Sequence, residues 1–77
     1  MSPIVRYHVA PTANDPSTHR TAVLVRNLGL GVLDLAVQVH PDDVQHPAFG
    51  VEASGRTQVL REGVLEGTAP GHWSEWP

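Results

Sequence analysis

Val32 to His40, with the sequence VLDLAVQVH, is the most regular stretch of this chain. Leucine or valine occupies every second position from Leu33 to Val39, and polar or small residues stand between them. Strict alternation over nine residues predicts a β-strand with one buried face and one solvated face. Because a one-residue slip would turn every aliphatic side chain toward water, the strand fixes its own register. The alternation therefore predicts an all-β domain.

Shorter apolar segments on both sides of this strand have the same character. Residues 4–9, 21–26, 49–53 and 57–61 are predicted strands, and a continuation of the last one to Glu66 across Gly63 is left open. Asn27 to Gly31 predicts a β-hairpin turn, because asparagine and glycine adopt positive φ at low cost. Short strands divided by Gly and Pro turns predict an antiparallel β-sandwich of six to seven strands.

The length of the chain points to one small domain with a thin core. At 77 residues only roughly 60 % of the unfolded chain's surface can be buried. No cysteine is present, so disulfides and thiolate metal sites are excluded. Association with itself or with a larger assembly is the favoured route to stability. We predict a sandwich domain over residues 1–71 and an aromatic C-terminal tail over residues 72–77.

The charge pattern argues against a nucleic-acid partner. Five arginines, no lysine and eight carboxylates give a formal charge of −3. The arginines are spread along the chain and form no basic track.

No apolar run reaches the roughly 18 residues of a membrane helix. The first residues lack the pattern of a secretion signal, so we expect a location in a virion or in the cytoplasm of the producing cell.

Residues with catalytic or metal-binding chemistry form no recognisable motif. The serines lack a Gly-flanked nucleophile elbow, so we expect no catalytic residue, no cofactor and no enzymatic activity. His40, Asp42, Asp43 and His46 crowd one proline-bracketed segment. Their spacing matches no known metal motif. We expect no metal site, although metal binding stays open beside a solvated turn whose carboxylates bind the local backbone.

Four apolar residues are candidates for a protein interface. Trp73 and Trp76 lie among the last five residues, and tryptophan is enriched at binding hot spots. They either dock on a neighbouring subunit or fold back to cap the core of their own domain, and a platform for sugar rings is a further alternative. Leu28 and Leu30 stand at the predicted hairpin tip, where exposure would create a contact surface.

The predicted hairpin resembles a motif of a known family. The segment from Ala22 to Gly29, followed by Val32 to Val39, is similar to the strand-V-x-N-x-G-strand hairpin of bacterial and phage immunoglobulin-like domains. The resemblance covers about forty residues, and the chain lacks the cysteine pair and the strand tryptophan found in many such domains.

This resemblance implies a structural role. Small immunoglobulin-like domains serve as virion accessory proteins that decorate a capsid or associate with a head or tail in many copies. The implied partners are capsid or tail subunits or further copies of this chain, with no nucleic acid and no membrane. The alternatives are a small acidic inhibitor or adaptor that binds a host protein, and a carbohydrate-binding module.

Overall fold

The computed structural model describes residues 2–76 as a strand-rich fold with two short 3-10 helices. Both helices, Pro41–Gln45 and Gly50–Ala53, lie between the third and fourth strands. The five strands are β1 (Ile4–His8), β2 (His19–Gly29), β3 (Val32–Gln38), β4 (Gln58–Leu65) and β5 (Trp73–Glu75). No helix among these residues is long and apolar enough to cross a membrane.

The strands form one antiparallel sheet in the order β4-β3-β2-β1-β5. Although β4 and β5 lie at opposite edges of this order, Glu66 directly after β4 forms a bridge with Trp73 of β5. The sheet therefore curls until its two edges approach each other. The predicted all-β class is confirmed. The described residues form five strands in one sheet, and its curl encloses one apolar face.

The core lies inside the curl of the sheet. Leu33, Leu35 and Val37 of β3 are fully buried, as their alternation predicts. Each faces a buried or partly buried residue of a neighbouring strand, such as Ala22 opposite Val37 and Val64 opposite Leu33. The remaining buried apolar side chains are Val5, Tyr7, Val9, Phe49, Ala53, Val59 and Trp73.

The predicted strand at residues 49–53 is wrong, because this segment forms the second 3-10 helix. Gly50 has a φ of +56°, which is incompatible with an extended strand. Phe49 is buried with guanidinium carbons of Arg20 and Arg61 at 5.6 and 5.7 Å from its ring centroid. The two cations hold the ring over the core, so the chain covers the open end of the sheet instead of extending it.

Asp34 breaks the expected pattern of β3, because this carboxylate is only 4 % exposed. Its Oδ1 accepts the backbone N–H of Gly63 at 2.8 Å, and its Oδ2 accepts the Arg26 Nε–H at 3.0 Å. The register with β2 shifts between Leu24 and Arg26, and the register with β4 shifts between Leu33 and Leu35. One carboxylate therefore stabilises the irregularities on both sides of β3.

Asp34→Ala is expected to lower the free energy of unfolding by about 2 kcal/mol. The substitution leaves the N–H of Gly63 without its acceptor and Arg26 without its partner. Urea unfolding measures the effect. The control is Glu62→Ala, which removes an exposed carboxylate from the neighbouring strand β4 and should change stability by less than about 0.5 kcal/mol. Equal effects of the two substitutions would contradict the role of Asp34.

Candidate functional site

The tip of the β2-β3 hairpin, residues 28–31, has an unusual backbone. Gly29, Leu30 and Gly31 have successive φ values of +85°, +57° and +77°. The Asn27 side-chain oxygen accepts the N–H of Gly29 at 2.9 Å and fixes the start of the turn. Glycine adopts this left-handed region freely, whereas leucine pays about 1 kcal/mol or more. Leu30 is therefore held in a conformation that its own side chain disfavours.

The hairpin tip is also apolar and open to solvent. Leu30 has a relative exposure of 104 %, so its side chain does not pack against the core of the domain. Leu28 is exposed as well. Leu65 of β4 stands opposite Val32 at the same end of the sheet and adds a third exposed leucine. Exposed apolar patches mark interaction surfaces, and backbone strain is concentrated at functional sites.

Trp73 anchors the hairpin tip to the rest of the domain. Its indole Nε1–H donates to the carbonyl oxygen of Gly31 at 2.8 Å, across 42 positions of sequence. The side chain is 2 % exposed and is the largest of the fully buried ones. A Cβ placed on Gly31 would meet the Glu66 carboxylate oxygen at 3.3 Å, so the turn lies close to the end of β4. The exposed leucines are thus presented on a fixed support.

The structure separates the four predicted interface residues into two groups. Leu28, Leu30 and Trp76 are exposed, and Trp76 packs edge-on against His19 with ring centroids 5.4 Å apart. Trp73 follows the core-capping alternative, because it belongs to β5 and is buried. The predicted tail over residues 72–77 therefore contributes a strand to the sheet, while Pro77 lies outside the described residues.

The segment considered for metal binding forms the first 3-10 helix. Asp43 accepts two hydrogen bonds from Arg20, at 2.9 and 3.0 Å, and one from the backbone N–H of His40 at 2.8 Å. The His40 Nδ1 accepts the N–H of Asp42. These groups serve the local backbone and an ion pair. In residues 2–76 no three potential ligands come together in a geometry suited to a metal ion.

Histidine instead gathers where β5 meets β1. His8 lies opposite His19, and its Nε2 lies 2.7 Å from the hydroxyl of Ser74. Burial, followed by the positive charges of Arg6, His19 and His72, lowers the pKa of His8 below its ordinary value of 6.5. The folded protein therefore favours the neutral form of His8.

Sequence reasoning missed two of the features described here. Leu65 was not singled out, because its position opposite the hairpin depends on the β3-β4 register. The spread of the arginines predicts individual ion-pair or interface residues but not their partners, and Arg20 bridges Asp43 and Asp15. The position of Leu65 and the pair of Arg20 with Asp43 join segments that are distant in sequence, so local patterns carry no signal for them.

Comparison with protein-family models, curated proteins and solved structures finds no match for this chain. The function is therefore argued from the geometry of the chain itself.

Trp73→Ala is expected to lower the free energy of unfolding by about 3 to 5 kcal/mol, enough to unfold a domain of this size. The change empties the largest buried site and removes the hydrogen bond to Gly31. Trp76→Ala is the matched control, with an expected loss of no more than about 1 kcal/mol. Circular dichroism during urea unfolding compares the two variants. A folded Trp73→Ala protein with near wild-type stability would show that Trp73 does not close the sheet.

The free energy of unfolding is expected to fall as the pH drops through about 6.5. Since the pKa of His8 is lower in the folded state, the unfolded chain binds more protons between the lowered pKa and 6.5, and acid favours unfolding there. Below the lowered pKa the contribution of His8 becomes constant. Urea titrations between about pH 7.5 and pH 5 measure this slope, and His8→Gln should flatten it. An unchanged slope in that variant would contradict the assignment.

Proposed function

We propose that this chain is a structural interaction subunit that binds in several copies to a larger protein assembly, of the phage-type virion accessory class. The observation that carries the proposal is Leu30, an apolar side chain that is fully exposed in a left-handed conformation. Folding gains nothing from leucine at this position, because glycine or asparagine would fit the turn at lower cost. A contact outside the monomer accounts for an apolar side chain there.

The support of the hairpin tip suits a docking role. Binding loses free energy when flexible groups become ordered. The Trp73 hydrogen bond to Gly31 and the Asn27 bond to Gly29 hold the tip before any partner arrives. Leu28 and Leu30 can therefore enter an apolar pocket of a partner at a small entropic cost.

The arginines support a protein partner over a nucleic acid. Arg20, Arg26 and Arg61 form ion pairs with carboxylates of their own chain. Arg6 donates from Nε to the backbone oxygen of Glu75. Four of the five cations are thus engaged within the domain, and a phosphate track would need them free.

The proposed interaction role does not depend on the fold family or the partner that the sequence predicts. The immunoglobulin-like sandwich and the identity of the partner as a capsid or tail subunit stay predictions. The interaction role rests on the hairpin tip alone and does not require them. The alternative, a small adaptor or inhibitor of a host protein, would use the same tip in a complex of fixed small stoichiometry instead of a repeated array.

Light scattering after size exclusion, at two concentrations an order of magnitude apart, tests the proposal. Wild-type protein is expected to form a symmetric oligomer, and Leu30→Asn is expected to be monomeric. The same substitution should keep or raise the melting temperature, because asparagine tolerates the left-handed conformation. Loss of assembly together with retained stability would separate a contact residue from a core residue.

Val51→Asn is the matched control for Leu30→Asn. Val51 is an equally apolar and highly exposed residue, but it lies on the second 3-10 helix. This variant should assemble like the wild type. An oligomer that survives Leu30→Asn would exclude the hairpin tip as the interface. A wild-type monomer at both concentrations would contradict self-assembly and favour the adaptor alternative.

A further inference from the structure

Ser74 and His8 form a hydrogen-bonded pair on the outer face of the sheet, where β5 meets β1. The Ser74 hydroxyl lies 2.7 Å from the His8 Nε2, across 66 positions of sequence. Val5 and Tyr7 are buried in the core, so His8 lies on the opposite face of β1. The pair is only partly buried, so it lies within reach of solvent.

Thr18 fixes the direction of this hydrogen bond. Its backbone carbonyl acts on the His8 ring as a hydrogen-bond acceptor. Thr18 directly precedes β2 and Ser74 belongs to β5, so the two partners approach the ring from opposite sides of β1. The ring proton therefore lies on Nδ1, and Nε2 accepts the Ser74 O–H. A serine, a histidine that accepts its proton and a third group that orients the histidine together make an activated nucleophile.

The surrounding charges keep His8 in the form that accepts a proton. Burial, followed by the positive charges of Arg6, His19 and His72, lowers the pKa of His8. His8 is therefore largely neutral at neutral pH, and the Nε2 lone pair is available to the Ser74 hydroxyl.

Arg6 adds a positive charge beside the serine. It stands directly opposite Ser74 in the pairing of β1 with β5, so both side chains leave the same face of the sheet. The Arg6 Nε–H donates to the backbone oxygen of Glu75 at 3.1 Å, which holds the guanidinium over β5. A cation at this place stabilises the negative charge that develops on a carbonyl oxygen under attack.

We propose that Ser74 is a nucleophile that takes an acyl group from an activated carboxylic ester, with His8 as its general base. The Ser74 Oγ attacks the ester carbonyl carbon while its proton moves to the His8 Nε2. The bond from that carbon to the leaving oxygen then breaks, and the leaving group departs as an anion with the bonding electron pair. His8 passes the proton to water, and the acyl group stays on Ser74. This chemistry is separate from the hairpin tip and does not depend on the assembly state.

Acetylation of the folded, full-length chain by para-nitrophenyl acetate tests the proposal. The chain has no lysine and no cysteine to compete for the acetyl group. Cleavage after arginine leaves each serine in a different peptide, and these serines are Ser2, Ser17, Ser54 and Ser74. Mass spectrometry of the peptides and their fragments gives the rate at each serine. At about pH 7.5, Ser74 should react at least about tenfold faster than the other serines.

Ser17 is the control within the same chain. Its hydroxyl also donates at 2.7 Å, but to the Asp15 carboxylate. Hydrogen bonds from Ser17 lower the pKa of Asp15 below its ordinary value of 3.8, so this carboxylate is a much weaker base than His8. Equal acetylation rates at Ser17 and Ser74 would overturn the proposal.

Variants assign the roles of the two residues. His8→Gln should lower the Ser74 rate about 100-fold, because glutamine cannot take the proton. His19→Gln is the matched control and should react like the wild type, since His19 pairs with His8 on the side away from Ser74. Ser74→Ala should remove the rapid acetylation of its peptide. An unchanged Ser74 rate in folded His8→Gln, or rapid acetylation of that peptide in Ser74→Ala, would overturn the proposal.

The pH profile of the wild-type protein is a test that needs no variant. Because His8 acts in its neutral form, the Ser74 rate should rise with a midpoint below pH 6.5 and then reach a plateau. The rates at Ser2 and Ser54 should keep rising, because hydroxide removes their protons. A Ser74 rate that rises in parallel with those two serines up to about pH 8 would contradict general-base catalysis by His8.

Discussion

The hydrogen bond from the Trp73 indole to the carbonyl of Gly31 is the contact on which the rest of this small fold depends. β5 is only three residues long, so its pairing with β1 is weak by itself. The buried indole joins that strand to the hairpin on the other side of the core. It helps to close a sheet whose first four strands form a meander into a curled sheet that encloses its own apolar face.

Two different surfaces follow from this closure. At one end, the hairpin presents Leu28 and Leu30 to solvent, and the Leu30 side chain makes no contact with the core. At the start of β2 and the end of β1, segments that contain Pro11, Pro47 and Pro70 line a largely apolar cavity of about 390 Å³. Asp34 lies close to the hairpin and stabilises the pairing of β3 with β2 and β4 there.

The sequence was sufficient where structure is set by neighbouring residues. The alternation from Leu33 to Val39 predicted the buried face of β3, and the Asn27 to Gly31 turn predicted the hairpin and its exposed leucines. It was insufficient where a partner lies far along the chain. Phe49 is held by Arg20 and Arg61, so its segment coils instead of pairing. Trp73 finds its acceptor 42 residues away, and no local pattern distinguishes that from an exposed tail.

Hydrogen exchange of the two indole N–H groups tests the role of Trp73 most directly, because each tryptophan gives its own resonance. We expect the Trp73 indole to exchange only through global unfolding, at the rate of the most protected core amides of β3. The Trp76 indole, 45 % exposed as a residue, should exchange rapidly. Rapid exchange of both indoles in a folded protein would contradict closure of the sheet by Trp73.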